Sequence, residues 1–192
     1  MSLTKVDQDR AYILYLINNY QDSILQCNKI LTADDNNVHA LNTLGLCFLK
    51  LERYDEANKT LLKAISLDNQ NILILNSLGR LNHELRKSKE AEIFFDKAFS
   101  LNPNSFETLN NMAGFYLEEE KYQKAINFYE RAIQINPNHT VAYNNLGSTL
   151  MSLGRRKESI QAYEKAISID SRNILAHNNL GIVPVSYTHL RA

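Results

Sequence analysis

The feature that most constrains this chain is a short pattern that recurs every 34 residues. It reads LNTLG at 41, LNSLG at 75, LNNMA at 109, YNNLG at 143 and HNNLG at 177. Such a period is typical of repeat architectures, in which each unit buries its apolar face against its neighbours. With position 1 of the first repeat at Thr4, the predicted array covers 1–182, with repeats at about 4–37, 38–71, 72–105, 106–139 and 140–173 and a partial repeat at 174–182.

Each repeat carries two stripes of apolar and small residues. In the first half they stand at positions 4, 7, 8 and 11, and in the second half at positions 20, 24 and 27. Spacings of three and four residues place side chains on one face of a helix, so each repeat is predicted to be a pair of helices. Positions 8 and 20 are small, which predicts that the paired helices cross there at close distance. These small residues are Gly45, Gly79, Ala113 and Gly147 at position 8, and Ala57, Ala91, Ala125 and Ser159 at position 20.

From Thr4 to Gly181 the pattern resembles the tetratricopeptide repeat, which has the same period, a Leu-Gly pair in its first helix and an alanine in its second. Only the first repeat is worn, since Arg10 replaces the expected leucine at position 7. The resemblance implies an all-α fold, a right-handed α-solenoid of stacked helix-turn-helix repeats. It also implies a concave groove that the first helices line.

Charge and composition exclude several classes of partner. The chain has 21 Lys and Arg against 21 Asp and Glu, so it lacks the basic excess that usually holds nucleic acid or an acidic membrane surface. No stretch approaches the roughly 20 apolar residues of a membrane span. Cys27 and Cys47 form no CxxC pair, which favours reduced thiols in a helical core. We therefore predict a cytoplasmic protein without a nucleic-acid or membrane partner.

No catalytic, metal or cofactor motif stands out in the sequence. The five histidines have no metal-binding spacing, the glycines stand singly rather than in a phosphate-binding loop, and no strand pattern could mount a nucleophile elbow. The sequence therefore predicts a protein that is not an enzyme and that holds no cofactor and no metal.

A carboxamide recurs at position 5 of every repeat, and a short polar residue follows it at position 6. Position 5 carries Gln8, Asn42, Asn76, Asn110, Asn144 and Asn178, and position 6 carries Asp9, Thr43, Ser77, Asn111, Asn145 and Asn179. Asn is roughly 0.6 kcal/mol worse than Ala within a helix, so its return needs a reason. Both positions lie beside the apolar stripe, and we expect them to stay accessible on the first helices.

The hypothesis is that these carboxamides bind an extended peptide. A carboxamide both donates and accepts hydrogen bonds, so a row of them pairs with a peptide backbone of any sequence. The row resembles the peptide track of the repeat arrays of O-GlcNAc transferases, most closely at Asn111, Asn145 and Asn179. The predicted peptide-binding residues are Asn42, Asn76, Asn110, Asn111, Asn144, Asn145, Asn178 and Asn179. Side-chain preference is predicted to come from Leu46, Leu49, Leu73, Leu117, Val141 and Met151. The alternative is that duplication copied the asparagines without a present function.

Two questions of function stay open at this point. The chain is either an interaction scaffold or the substrate-selecting array of a larger enzyme, such as a glycosyltransferase or a sulfotransferase, and the sequence downstream of Gly181 in the intact gene would decide. Binding of a chaperone C-terminus is not expected, because position 5 is never Lys. Residues 183–192 lack the repeat pattern and are predicted to be a non-native or disordered tail, which leaves the last repeat uncapped and open to self-association.

Overall fold

The computed structural model describes residues 5–182, and this part of the chain is built of eleven α-helices without a strand. The helices are α1 (Lys5–Leu16), α2 (Tyr20–Ala33), α3 (Val38–Lys50), α4 (Tyr54–Leu67), α5 (Ile72–Glu84), α6 (Ser88–Leu101), α7 (Phe106–Glu118), α8 (Tyr122–Ile135), α9 (Thr140–Ser152), α10 (Arg156–Ile169) and α11 (Ile174–Ile182). The predicted all-α class is confirmed. The tail predicted at 183–192 lies outside the described residues.

The helices fall into two compact units. Unit 1 is Met1–Pro103 and contains α1 to α6, and unit 2 is Asn104–Ala192 and contains α7 to α11. Within unit 1, α1 packs on α2, α3 on α4 and α5 on α6, and the pairs stack through α2 on α3 and α4 on α5. Within unit 2, α7 packs on α8 and α9 on α10, and α8 on α9 and α10 on α11 join them. Both units are therefore stacks of helix pairs.

Small residues bring the two helices of a pair together, as predicted. The Ser159 hydroxyl at position 20 donates to the carbonyl oxygen of Gly147 at position 8, at 2.7 Å. In the first repeat, the Ser23 hydroxyl donates to the Ala11 carbonyl at 2.8 Å. A side chain thus touches the backbone of the paired helix, which requires a close approach of the two helices.

Glycine at position 8 also makes room for the large side chain at position 24. A Cβ built on Gly45 would lie 2.6 Å from the Leu61 side chain, and one built on Gly147 would lie 2.6 Å from the Tyr163 ring. The aromatic side chains of the stripes are buried, as expected of core residues. They are Phe48, Phe95, Tyr116, Tyr129 and Tyr163.

The turn inside each repeat ends the first helix with a residue in the left-handed region. At position 15, Glu52 has φ 59° and Gly154 has φ 80°, and the other repeats have equivalent values. The Arg53 N–H bonds to the Phe48 carbonyl at 2.9 Å, and the Glu52 N–H bonds to the Leu49 carbonyl at 3.2 Å. This pair of bonds is the Schellman motif, which satisfies carbonyl groups that the helix end would leave unpaired.

The turn between repeats supplies a polar cap for the next first helix. The Asn37 side chain accepts from the Ala40 N–H at 3.0 Å, and the Asn173 side chain accepts from the Ala176 N–H at 2.8 Å. Such a cap satisfies one of the four N–H groups that a helix start leaves free. Several asparagines of this Asn-rich chain therefore serve as helix caps.

The two cysteines lie in the core of unit 1 as free thiols. The Cys47 Sγ donates to the Ser23 hydroxyl at 3.1 Å. Burial, aided by the nearby Cys47, raises the pKa of the Cys27 thiol to about 12. Because the thiolate is the reactive form, Cys27 is an unreactive core residue in the folded chain.

Candidate functional site

The candidate site is the carboxamide row, defined as positions 5 and 6 of the first helices. In unit 1 the two asparagines at position 5 are buried, with Asn42 exposed by 8% and Asn76 by 1%, and Gln8 is half-buried. The Ser77 hydroxyl of α5 donates to Asn42 Oδ1 at 2.8 Å, and it also lies 2.9 Å from the Leu73 carbonyl oxygen. A residue of the following repeat therefore occupies the side-chain oxygen of Asn42.

Unit 2 contains the same bond between α9 and α11. The Nδ2 of Asn179 donates to Oδ1 of Asn144 at 3.0 Å, again from position 6 to position 5 of the preceding repeat. Asn144 is 7% exposed, whereas Asn111, Asn145 and Asn179 are half-buried. The row thus includes hydrogen bonds that join adjacent repeats.

The other two position 5 residues of unit 2, Asn110 and Asn178, differ in exposure. Asn110 is half-buried, and its Oδ1 is buried without a hydrogen-bond partner among the described residues. Asn178 is exposed. A buried oxygen without a donor costs roughly 1–3 kcal/mol, and because this atom is buried, a ligand N–H reaches it only after a side-chain rearrangement.

The expectation that the whole row stays accessible is wrong for Asn42, Asn76 and Asn144 at position 5 and for Thr43 and Ser77 at position 6, which are buried. Helical periodicity within one repeat identifies the face that packs on its own second helix, but it does not identify the contact with the next repeat. Position 5 of α3 meets α5, and position 5 of α9 meets α11. Peptide binding by the eight asparagines stays a prediction.

In three of the six repeats an apolar side chain accompanies the row at position 2, one helical turn before the carboxamides, whereas the other three carry Lys5, His39 and Glu107 there. Leu73 is 44% exposed, Val141 51% and Leu175 64%. Residues three and four apart lie side by side on a helix, so each of these side chains adjoins its own carboxamides. Leu46 and Leu49, which were also expected to contact a ligand, are buried, so that expectation is wrong for them. Leu117 and Met151 are half-buried.

A cleft of about 390 Å³ in unit 2 and one of about 330 Å³ in unit 1 lie between the first and second helix of a repeat, away from the row. In the former, the rings of Tyr116 and Phe128 stack with centroids 5.5 Å apart, and Lys124 Nζ lies 4.8 Å from the Tyr116 centroid.

A third cleft, of about 200 Å³, borders the carboxamide row of unit 1 between α3 and the start of α5. Its wall includes Asn42, His39 and the partly exposed Leu73. The Nδ1 of His39 is buried without a hydrogen-bond partner among residues 5–182. Because this atom is buried, the part of the cleft wall open to a ligand is the apolar surface of Leu73.

Two ion pairs lie at the starts of second helices, away from the carboxamide row. Ion pairing with Arg53 lowers the pKa of Glu56, and pairing with Arg155 lowers the pKa of Glu158, both on the exposed first turn of a second helix. Among the described residues, no group of His, Cys, Asp and Glu side chains could hold a metal ion. None of the helices in that part of the chain combines the length and apolarity of a membrane span.

Two family models match separate parts of the chain. Residues 104–172 match the tetratricopeptide repeat model. Residues 16–98 match the model of the anaphase-promoting complex, cyclosome, subunit 3. No curated protein matches the sequence.

Solved structures share the fold over most of their length. A thermophilic TPR protein of Thermus thermophilus superposes with a TM-score of 0.84 at 16% identity, covering 92% of this chain and 96% of that one. YrrB, a TPR protein with an unusual peptide-binding site, gives 0.62 at 23% identity, covering 90% and 89%. MamA gives 0.62 at 25% identity, covering 86% and 91%. The chain therefore has the fold of tetratricopeptide-repeat proteins.

Proposed function

We propose that the chain is a protein-interaction scaffold that binds an extended peptide along the first helices of its repeats. The observation that carries the proposal is found in two repeats, where an exposed apolar residue at position 2 is followed one turn later by a half-buried or exposed carboxamide: Val141 by Asn145, and Leu175 by Asn178. Apolar contacts at position 2 hold ligand side chains, and the carboxamides hold the ligand backbone.

The carboxamides are expected to bind the backbone of the ligand rather than its charged side chains. Carboxamides present donors and acceptors in neutral groups, so they pair with the N–H and C=O of any extended chain. We expect a dissociation constant on the order of micromolar, or ~8 kcal/mol, because a flexible peptide loses entropy when it is ordered. Salt should have little effect, since screening acts on charges.

The likeness to YrrB supports the proposal by analogy, because that protein has a peptide-binding site on the same fold. Because Asn42, Asn76 and Asn144 are buried, we expect them to contribute less to ligand binding than the other members of the row. The strongest contacts are expected from half-buried and exposed members, foremost Asn111, Asn145 and Asn178.

The test begins with peptides selected from a random 12-residue library displayed on phage and panned against the full chain. One selected peptide is then measured by calorimetry against wild type and against Asn111→Ala combined with Asn145→Ala. Each lost hydrogen bond is worth ~0.5–1.5 kcal/mol, so affinity should fall roughly fivefold to a hundredfold. Asn69→Ala combined with Asn138→Ala, at exposed sites in turns, is the matched control.

The outcome is decisive in both directions. A selective loss in the row variant, with unchanged helicity, supports the peptide track. Equal affinity in the row variant and wild type would assign the asparagines to repeat stacking and duplication alone.

Three narrower predictions remain part of this proposal. The first is that the scaffold acts in the cytoplasm, where buried free thiols such as Cys27 stay reduced. The second is self-association through the last repeat, where Ile174 is 72% exposed. The third is the alternative role as the substrate-selecting array of a larger glycosyltransferase or sulfotransferase, which would use the same surface to hold an extended protein substrate.

A further inference from the structure

The first helix of the chain exposes a face that is buried in the other first helices. In α3, α5 and α9 the side chains at positions 3, 7 and 10 are exposed by 8% or less. They are Ala40, Leu44 and Cys47 in α3, Ile74, Leu78 and Leu81 in α5, and Ala142, Leu146 and Thr149 in α9. The contact between Cys47 and Ser23 of α2 shows that the preceding repeat covers this face in α3.

The same face of α1 lies open and is largely apolar. Val6 at position 3 is 70% exposed and Ile13 at position 10 is 54% exposed. Ile17, at position 14 directly after the end of α1, is 63% exposed, and its N–H bonds to the Ile13 carbonyl at 3.1 Å, which continues the helical turn. Arg10, at position 7 between them, is also exposed. Spacings of four, three and four residues keep these four side chains within one narrow stripe of the helix.

We infer that this α1 face, formed by Val6, Arg10, Ile13 and Ile17, is a docking surface for α1 of a second copy of the chain in antiparallel orientation. Every equivalent face in α3, α5 and α9 is covered, so its geometry accepts a packed helix. Because the stripe has the same spacing read in either direction, it fits itself across a two-fold axis. Val6 of one copy then faces Ile17 of the other, and Arg10 faces Ile13.

The charges of α1 suit the antiparallel pairing. Asp9 adjoins the stripe and is exposed. In the pairing above, Arg10 of one copy lies about one helical turn from Asp9 of the other, within reach of a guanidinium side chain. The two-fold axis gives two equivalent pairs of Arg10 and Asp9. In a parallel arrangement the two Arg10 side chains would face each other and repel, so these charges favour the antiparallel orientation.

We expect association through the α1 face to be weak and to join only two copies. A single helix pair buries less than the roughly 800 Å² per partner of a standard interface, so we expect a dimer with a dissociation constant of about 10–100 µM. A two-fold contact uses up both faces and stops at two copies.

Sedimentation equilibrium of the full chain tests the inference. Between about 5 and 300 µM, the average mass should rise from the 22.0 kDa of one chain toward about twice that value. Ile13→Lys should weaken the dimer at least about tenfold, because in this pairing the new ammonium group faces Arg10 of the other copy. Leu16→Lys is the matched control, since Leu16 is 57% exposed on the same helix at a position where other repeats carry Lys50, Glu84, Glu118 and Ser152.

Exchange of the charges of Asp9 and Arg10 tests the dimer in a second, independent way. Asp9→Arg alone should weaken the dimer several-fold, and Asp9→Arg combined with Arg10→Asp should restore it. A monomer over the whole concentration range would overturn the inference. Equal effects of Ile13→Lys and Leu16→Lys would overturn it as well.

Discussion

The two units fill the same repeat position with different chemistry. Position 24 of the second helix is Cys27, Leu61 and Phe95 in unit 1, and Tyr129 and Tyr163 in unit 2. The Tyr163 hydroxyl lies 3.1 Å from the Ser148 hydroxyl, and the Tyr129 hydroxyl is hydrogen-bonded to Asn145 of the carboxamide row. Burial raises the pKa of Tyr129 to about 12, so this phenol stays protonated at neutral pH. In unit 2, therefore, the helix-pair core is bonded to the candidate site.

The largest expected effect comes from filling the space of a glycine beside a tethered ring. Gly147→Ala would place a Cβ 2.6 Å from the Tyr163 ring, whose hydroxyl is held by Ser148. Overpacking of this kind costs ~1–3 kcal/mol, and we expect the upper half of that range. Gly79→Ala in unit 1 should cost less, because the facing Phe95 has no hydroxyl to tether it. The midpoint of urea unfolding measures both.

Gly114→Ala is the control for this comparison. The nearest atom to its new Cβ is the Tyr129 hydroxyl oxygen at 3.7 Å, an ordinary contact. Since alanine is roughly 1 kcal/mol better than glycine within a helix, this variant should be neutral or more stable. Equal destabilisation by Gly114→Ala and Gly147→Ala would contradict the assignment of Gly147 to the helix crossing.

The next prediction compares the loss of two inter-repeat hydrogen bonds of the carboxamide row. Ser77→Ala removes the donor to Asn42 in a buried setting and should cost ~1–2 kcal/mol, because the oxygen of Asn42 is left without a partner. Asn179→Ala removes the equivalent donor to Asn144, but Asn179 is half-buried and water can replace it. A cost below ~0.5 kcal/mol is expected there. Thermal and urea unfolding of both variants decide whether burial makes the difference.

A smaller effect tests the bond between core and row in unit 2. Tyr129→Phe removes one hydrogen bond to Asn145 and should cost ~0.5–1.5 kcal/mol of stability. Without that bond, the Asn145 side chain is less ordered, and affinity for a selected peptide should fall about twofold to fivefold. Phe95→Leu in unit 1 is expected to lower stability without changing peptide affinity. A stability loss in Tyr129→Phe with unchanged affinity would show that core and site are independent.

The smallest effect concerns the turn inside the repeats. Glu52 of unit 1 occupies the left-handed region at φ 59°, where Gly154 of unit 2 stands at φ 80°. A non-glycine residue there costs ~1–2 kcal/mol, and glycine loses ~0.5–1 kcal/mol more backbone entropy on folding. Glu52→Gly should therefore stabilise by about 0.5 kcal/mol, and Gly154→Ala should destabilise by about 1 kcal/mol. The melting temperature would then shift by about 1–4 °C in opposite directions.

Contacts within one repeat were predictable from the sequence, because local spacing determines them. Positions 8 and 20 are small in successive repeats, and the bond from Ser159 to the Gly147 carbonyl lies at that crossing. The period also predicted the helix pairs themselves. Local rules of this kind require only that residues three and four apart share a helix face.

Contacts between repeats could not be read from the same spacing. The burial of Asn42 depends on where Ser77 of the next repeat arrives, and helical periodicity contains no information on that distance. The capping role of Asn37 was in principle visible, since Asn is favoured immediately before a helix. Its signal was obscured because asparagine also recurs inside the helices.

The hydrogen bond between position 5 of one repeat and position 6 of the next joins residues 35 apart in the chain. A gene can gain or lose one complete repeat and still bring a position 6 residue beside a position 5 residue. An insertion or deletion of another length within a helix between them shifts one position relative to the other and breaks the bond. We therefore expect the helices of such a chain to be gained or lost in whole steps of 34 residues, with other changes of length confined to the turns.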